Sequence, residues 1–305
     1  MPDNPAQPPG WNSFGARLVA AVATRGPLCA GIDPHPELLS DWGLSDDVSG
    51  LERFALGAVH ALAPEMAVLK PQSAFFERHG ARGIAVLERT LTAAREAGAL
   101  VLLDVKRADI GSTMAGYADA YLSEGAPLAV DAITVSPYLG VGALEPAFDL
   151  AARTGRGVFV LALTSNPGGT DVQDARTATG RTVAQHVVDE VAARNSDRPF
   201  AGQNPSSGPG HLGVVIGATA AAQVLRIGAL GGPILIPGVG AQGATLADLR
   251  RWFGAARHVL PTTSRALLRH GPEPAALRSA ARRVADEAAD LLLTASWQVD
   301  GSTPR

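Results

Sequence analysis

The sequence predicts a (β/α)8 barrel, and three observations carry that expectation. Eight short apolar runs recur along the 305 residues, each continuous in apolar character rather than alternating. Strands buried on both faces of a parallel sheet look like this. Helix-length amphipathic segments separate the runs. Each run also ends in polar residues, which is where a barrel of this kind keeps its active site.

The elements follow in order. A helix at Ser13–Ala23 precedes the first strand and is placed to cover the bottom of the barrel. Strands are expected at Leu28–Ile32, Met66–Leu69, Leu100–Leu103, Val130–Val135, Gly157–Leu163, Leu212–Gly217, Pro233–Ile236 and Arg257–Leu260. After the second strand, Ile84, Leu87, Leu91, Ala94 and Gly98 share a helical face; in the last helix Ala281, Val284, Ala285, Ala288, Leu291 and Leu292 do the same. Asn195–Gly210, with three prolines, reads as a surface insertion before the sixth strand. Residues 1–10 and 295–305 read as flexible tails, which leaves 11–294 as a single barrel domain. A doubly wound open sheet is the rival, but no G-x-G-x-x-G follows the first strand.

Composition narrows the function. Hydrophobic residues make up 46% of the chain and charged residues 18%, enough for a sizeable core. Acids outnumber Lys and Arg by 29 to 26, so no basic surplus serves a polyanion, and aromatics at 5% offer few stacking platforms; nucleic acid is not an expected partner. The N-terminus has no basic and apolar leader, and no apolar stretch reaches the roughly 18 residues of a membrane span, so a cytoplasmic protein is expected. The one cysteine, Cys29, excludes a disulfide framework and reads as a buried structural thiol.

The strand ends hold the chemistry. Strand one ends in Asp33, strand two in Lys70, and strand three in Asp104-Val105-Lys106-Arg107-Ala108-Asp109. A solvated loop residue would explain Asp33 alone. Two lysines and three aspartates on one rim, in a chain with few charges, are harder to explain that way. Asp104 and Lys106 are two apart, so on a continuing strand they point to the same side. A lysine between carboxylates is held cationic and can donate a proton or stabilise charge. A structural ion-pair network and a magnesium site are alternatives, although the central lysine disfavours the metal. A Schiff-base lysine is a third, disfavoured because carboxylates keep the amine protonated.

A phosphate site is expected after strands seven and eight. Gly238–Gly243 supplies a Gly-rich turn ahead of a helix, Gln242 an amide, and Arg265 a fork-shaped donor. A turn of small residues beside a surface arginine is the plainer alternative. After strand five, Ser165 in Thr164–Gly169 is suited to reading a polar ring edge, or is only a turn former. The seven histidines form no metal-ligand spacing, and no G-x-S-x-G elbow is present, so no metal is expected.

Taken together, these residues resemble orotidine 5′-phosphate decarboxylases. Asp104-Val105-Lys106-Arg107-Ala108-Asp109-Ile110-Gly111-Ser112-Thr113 looks like the family's D-x-K-x-x-D-I-x-x-T signature. Gly31-Ile32-Asp33-Pro34, Leu69–Glu77, Thr164–Gly169, Pro237–Gly243 and Ser264-Arg265 follow in the family's order, and several forms are similar to the longer bacterial, type 2, subgroup. The resemblance implies a TIM barrel that decarboxylates orotidine 5′-monophosphate to UMP and CO2 without a cofactor, in pyrimidine biosynthesis. It implies that Lys106 protonates C6, that Asp104 lies beside the departing carboxylate, and that Lys70 and Asp33 meet the ribose region. It further implies a homodimer in which Asp109, with Ile110 and Thr113 near it, enters the other subunit's site. Ser165 would read the pyrimidine, while Gln242 and Arg265, with Gly240 and Ser264, would hold the phosphate. Two departures stand out. Ser196–Gly210 has no family counterpart, and Pro261-Thr262-Thr263-Ser264-Arg265 differs from the commoner V-G-R form. A magnesium-dependent sugar-phosphate decarboxylase or synthase on the same barrel, and a non-catalytic phosphometabolite-binding barrel, are the alternative functions.

Overall fold

The computed structural model describes residues 13–196, 208–220, 225–240, 243–253, 256 and 258–293. The expected tails, most of the 195–210 insertion, Gln242 and Arg257 lie outside the described residues. Eight parallel strands close into a barrel in chain order: β1 Cys29–Ile32, β2 Val68–Pro71, β3 Leu100–Arg107, β4 Ala132–Val135, β5 Gly157–Leu163, β6 Leu212–Ile216, β7 Ile234–Pro237 and β8 Val259–Thr263. Closure is made by Cys29 and Ala30 of β1 pairing with Thr262 and Thr263 of β8. The helices are α1 Phe14–Arg25, α2 Pro36–Asp41, α3 Val48–Leu62, α4 Ala74–Glu77, α5 Gly80–Glu96, α6 Gly111–Leu122, α7 Glu145–Thr154, α8 Thr170–Gln173, α9 Val183–Ser196, α10 Leu246–Phe253, α11 Arg265–Leu268 and α12 Pro274–Leu292.

Strand periodicity divides the core into two layers. Outward-facing residues such as Leu69, Leu103, Ile133 and Val160 pack under the helices. Inward-facing residues such as Cys29, Val68, Leu102, Ala132, Phe159 and Leu260 form the barrel interior. The helices bury their faces as expected: α12 buries Ala281, Ala285, Ala288 and Leu292. In α5 the buried stripe is Gly83, Val86, Leu87, Thr90, Leu91 and Ala94, while Gly98 lies past the helix end and is exposed.

Helix α1 closes the bottom, as its position in the chain suggests. It starts where the Ser13 side chain accepts a hydrogen bond from the Ala16 amide, and it stops at Gly26, whose φ of 76° a side chain would resist. Phe14, Leu18, Val19 and Val22 join the interior cluster. Phe14 meets Phe159 edge-on at 5.9 Å, worth about 0.5–1.5 kcal/mol beyond the area buried. An ion pair from Arg17 to Asp131 ties the helix to the start of β4. Cys29 lies in this interior with no exposure, and burial pushes its thiol up to about 12, so it is the structural thiol expected.

The same alternation supplies the mouth. Two residues beyond Val68 comes Lys70, two beyond Leu102 comes Asp104, two beyond Ala132 comes Thr134, and two beyond Leu260 comes Thr262. All four are buried polar residues. Strands expected to stop at their first polar residue therefore run on: β2 to Pro71, β3 to Arg107 and β8 to Thr263.

Candidate active site

The mouth is organised around one carboxylate. Lys70 Nζ donates to Asp104 Oδ2 at 3.0 Å and Lys106 Nζ to Asp104 Oδ1 at 2.6 Å. Gln72 Nε2 donates to Oδ2 at 2.9 Å and the Thr134 hydroxyl to Oδ1 at 2.8 Å. Lys70 Nζ also lies 4.0 Å from Asp33 Oδ1. Asp104 thus stands between two lysines, and Lys70 in turn between Asp104 and Asp33. Asp109 pairs with neither lysine among the described residues, and its Oδ1 instead accepts from the Ile110 amide ahead of α6.

Local backbone explains the convergence. Leu103 pairs with Ile133 and Arg107 with Val135, so β3 takes four steps where β4 takes two. Such a bulge re-aims side chains. Lys106 sits in it with φ of 45°, a left-handed conformation that costs a non-glycine residue on the order of 1–3 kcal/mol. Asp104 and Lys106 therefore meet through a bulge, and not through the flat two-residue alternation expected from sequence.

Electrostatics fixes the charges. Burial presses the Lys70 ammonium downward, but Asp104 and then Asp33 outweigh it and hold the group above the ordinary lysine range. Burial presses Asp104 upward, yet Lys70, then Lys106, hold its carboxyl well below the usual carboxylate range. Both are therefore ionised at neutral pH. Lys106 differs in access: its side chain is 48% exposed, against 6% for Lys70. It reaches a cavity of about 470 Å³ lined by Asp33, His35, Gln72, Asp104, Lys106 and Arg107, among others. The arrangement can present a solvent-accessible cation to a reacting atom while an ionised acid stands beside it.

The remaining rim residues divide. Ser165, after β5, and Ser264, after β8, each hold a buried hydroxyl oxygen with no hydrogen-bond partner among the described residues. Each is seated by a glycine across the rim. A Cβ on Gly217 would lie 2.2 Å from Ser165 Oγ, and one on Gly31 would lie 2.6 Å from Ser264 Cβ. One buried oxygen of Asp33 is likewise unpartnered by hydrogen bonds. Arg265 opens α11 and is exposed. It lies near enough to His35 that, after burial, it is among the cations opposing protonation of that ring. Gly240 takes a φ of 77°, and its N–H donates to the Ala244 carbonyl within the turn, so it supplies shape there rather than a free amide. Ile110 and Thr113 face solvent. Thr134, Gln72, Gly31 and Gly217 were not among the residues expected from sequence. Among the described residues, no three His, Cys, Asp or Glu side chains converge to hold a metal ion.

The family model for the orotidine 5′-phosphate decarboxylase / HUMPS family matches residues 26–280. An orotidine 5′-phosphate decarboxylase of Salinispora arenicola is 63% identical over 273 residues, covering 89% of this chain and 95% of its own. One from Streptomyces coelicolor is 58% identical over 275 residues, covering 90% and 96%. A Streptomyces avermitilis crystal structure, of a candidate orotidine 5′-phosphate decarboxylase, superposes with a TM-score of 0.86 at 53% identity, covering 95% of this chain and 99% of the other. A Leishmania donovani OMP decarboxylase structure gives 0.70 at 28% identity, covering 92% and 98%.

Proposed function

The chain belongs to the orotidine 5′-phosphate decarboxylase / HUMPS family, and from that premise we propose how its rim converts orotidine 5′-monophosphate to UMP and CO2. The observation that carries the reading is an ionised Asp104 held between a buried Lys70 and a reachable Lys106. The reaction breaks the bond from C6 to the carboxylate carbon and leaves the electron pair on C6. CO2 departs, and C6 takes a proton. No ring or carbonyl group delocalises that pair, so the site supplies the stabilisation. The Lys106 ammonium faces the developing charge and then gives C6 its proton, becoming a neutral amine that solvent recharges. Asp104 stands beside the substrate carboxylate and raises the ground state. Lys70 keeps Asp104 ionised throughout. The work is that of a carboxy-lyase needing no cofactor.

Two alternatives are separated by experiment. A magnesium-dependent sugar-phosphate enzyme would take the rim carboxylates as ligands, yet Asp33 and Asp104 both face the Lys70 ammonium. Purified protein treated with chelator is expected to deplete the ultraviolet absorbance of orotidine 5′-monophosphate. Turnover restored only by added metal would favour the magnesium enzyme, and binding without turnover the non-catalytic phosphometabolite-binding barrel.

Arg265 is proposed to hold the phosphate. Arg265→Ala is expected to weaken substrate binding by on the order of 1.5–3 kcal/mol, the range of a hydrogen bond to a charged group. Phosphate-free orotidine should show no such sensitivity, and equal losses for both would remove the assignment.

We further propose a cytoplasmic homodimer with shared sites. Among the described residues no helix is long and apolar enough to cross a membrane. The dimer is supported by Asp109 standing apart from its own lysines, and by Ile110 (62% exposed), Tyr138 (79%) and Leu139 (52%) on the turns after β3 and β4. A two-fold axis would then present both copies of Asp109 alike. Mixing inactive Lys106→Ala with inactive Asp109→Ala protein is expected to restore one working site per mixed dimer. Subunit exchange without regained turnover would place Asp109 in its own chain's site.

A further inference from the structure

Thr134 lies in β4, turned into the barrel and 1% exposed. Its hydroxyl accepts from the Val105 amide at 3.1 Å and from the Lys106 amide at 3.0 Å, and it donates to Asp104 Oδ1 at 2.8 Å. A hydroxyl has one proton and two lone pairs, so every bond it can make is made. Both amides belong to the β3 bulge, where the regular ladder with β4 is interrupted. One of them belongs to Lys106, the residue in the left-handed conformation. Asp104 Oδ1 in turn receives Lys106 Nζ at 2.6 Å. The path Lys106 N, Thr134 Oγ1, Asp104 Oδ1, Lys106 Nζ is therefore a closed ring that grips one lysine at its backbone and at its tip.

We infer that Thr134 is a positioning residue for the reaction, its hydroxyl holding the strained Lys106 backbone and the Asp104 carboxylate together and so fixing where the ammonium points. The inference rests on Lys106 being the proton donor. Without the hydroxyl, the buried Val105 amide and the half-buried Lys106 amide lose their acceptor, and the bulge can relax toward extended backbone. That relaxation swings the Cα–Cβ bond of Lys106 away from C6. The phosphate contact proposed above, at Arg265 after β8, lies elsewhere on the rim and does not depend on this ring.

Valine keeps the shape of threonine and lacks the oxygen; serine keeps the oxygen and lacks the methyl. In Thr134→Val, kcat is expected to fall about 100-fold, the scale of an ångström-sized misplacement of a catalytic group. KM and the affinity for UMP are expected to stay within a few-fold. Thr134→Ser is expected to recover kcat to within a few-fold of the parent. If Thr134→Val does not fold, Thr134→Ala must show the same loss of kcat while Thr134→Ser does not. A valine variant as fast as the parent would overturn the inference. So would a serine variant as slow as valine, or a loss of UMP affinity as large as the loss of kcat. The amides of Val105 and Lys106 are also expected to lose hydrogen-exchange protection in Thr134→Val. A parent protein with no turnover would overturn the reading of Lys106, while unchanged protection would overturn the role of Thr134.

Discussion

Replacing Lys106 with alanine is expected to lower turnover of orotidine 5′-monophosphate by about 10⁴-fold or more, the upper reach of what a positioned proton donor contributes. The chain should stay folded. Lys106 is half exposed, and its removal leaves Asp104 still paired with Lys70, Gln72 and Thr134. The backbone gives a control. At φ of 45° glycine relieves strain that alanine retains. Lys106→Gly should therefore be at least as stable as Lys106→Ala and equally inactive. Circular dichroism and thermal melting separate folding from chemistry. A folded variant with near-parental turnover would remove Lys106 from the mechanism.

Asp104→Ala carries the second large effect, and it falls on stability. Lys70 is almost wholly buried and Asp104 is its close partner, with Asp33 standing off at 4.0 Å. Removing one member of a buried pair strands the other charge, at about 3–5 kcal/mol. The pH dependence has a sign that can be worked out. The folded-state value of Asp104 is depressed, so its contribution is complete above the ordinary carboxylate range and is lost as pH falls through the folded value. The folded-state value of Lys70 is raised, so its contribution is complete below its ordinary value of 10.5 and is lost as pH rises through the folded value. Between these limits the pair is intact. Denaturant midpoints of parent and variant should differ by a constant amount from about pH 5 to 9. The gap should close as the solution is made strongly acidic. A gap independent of pH down to the acid limit would show that Asp104 contributes by shape and not by charge.

Reading strands by apolar character succeeds while the barrel interior is apolar and fails where it turns polar. β5 is found at its expected limits because Gly157–Leu163 has no polar residue. β3 and β8 run four and three residues past their expected ends. Among the residues there, Asp104, Lys106 and Arg107 line the cavity at the mouth, and Thr262 lies on the inner face two places beyond Leu260. The charged members of the site were legible because a Lys or Asp closing an apolar run is conspicuous. Thr134 was not, because threonine is an ordinary strand residue and only register shows it two places beyond Ala132 on the inner face. Gly31 and Gly217 were missed for a related reason. Their role is the space they leave for Ser264 and Ser165 on neighbouring strands, and sequence separation hides that contact. The bulge at Lys106 has no composition signal either, since a lysine at positive φ is held there by its surroundings.

The helix that precedes the first strand has a consequence for traffic. Phe14, Leu18, Val19 and Val22 fill the lower end of the barrel, and Phe159 and Leu102 rise above them. Among the described residues the vessel so formed has a floor, and it is open at the top. On the mechanism proposed above, substrate, product, carbon dioxide and the water that recharges Lys106 share that opening. On that mechanism, carbon dioxide released beside Asp104 leaves by the mouth, since α1 fills the other end. The floor thus leaves the mouth as the one end of the barrel, among the described residues, where ligand and solvent meet the proposed site.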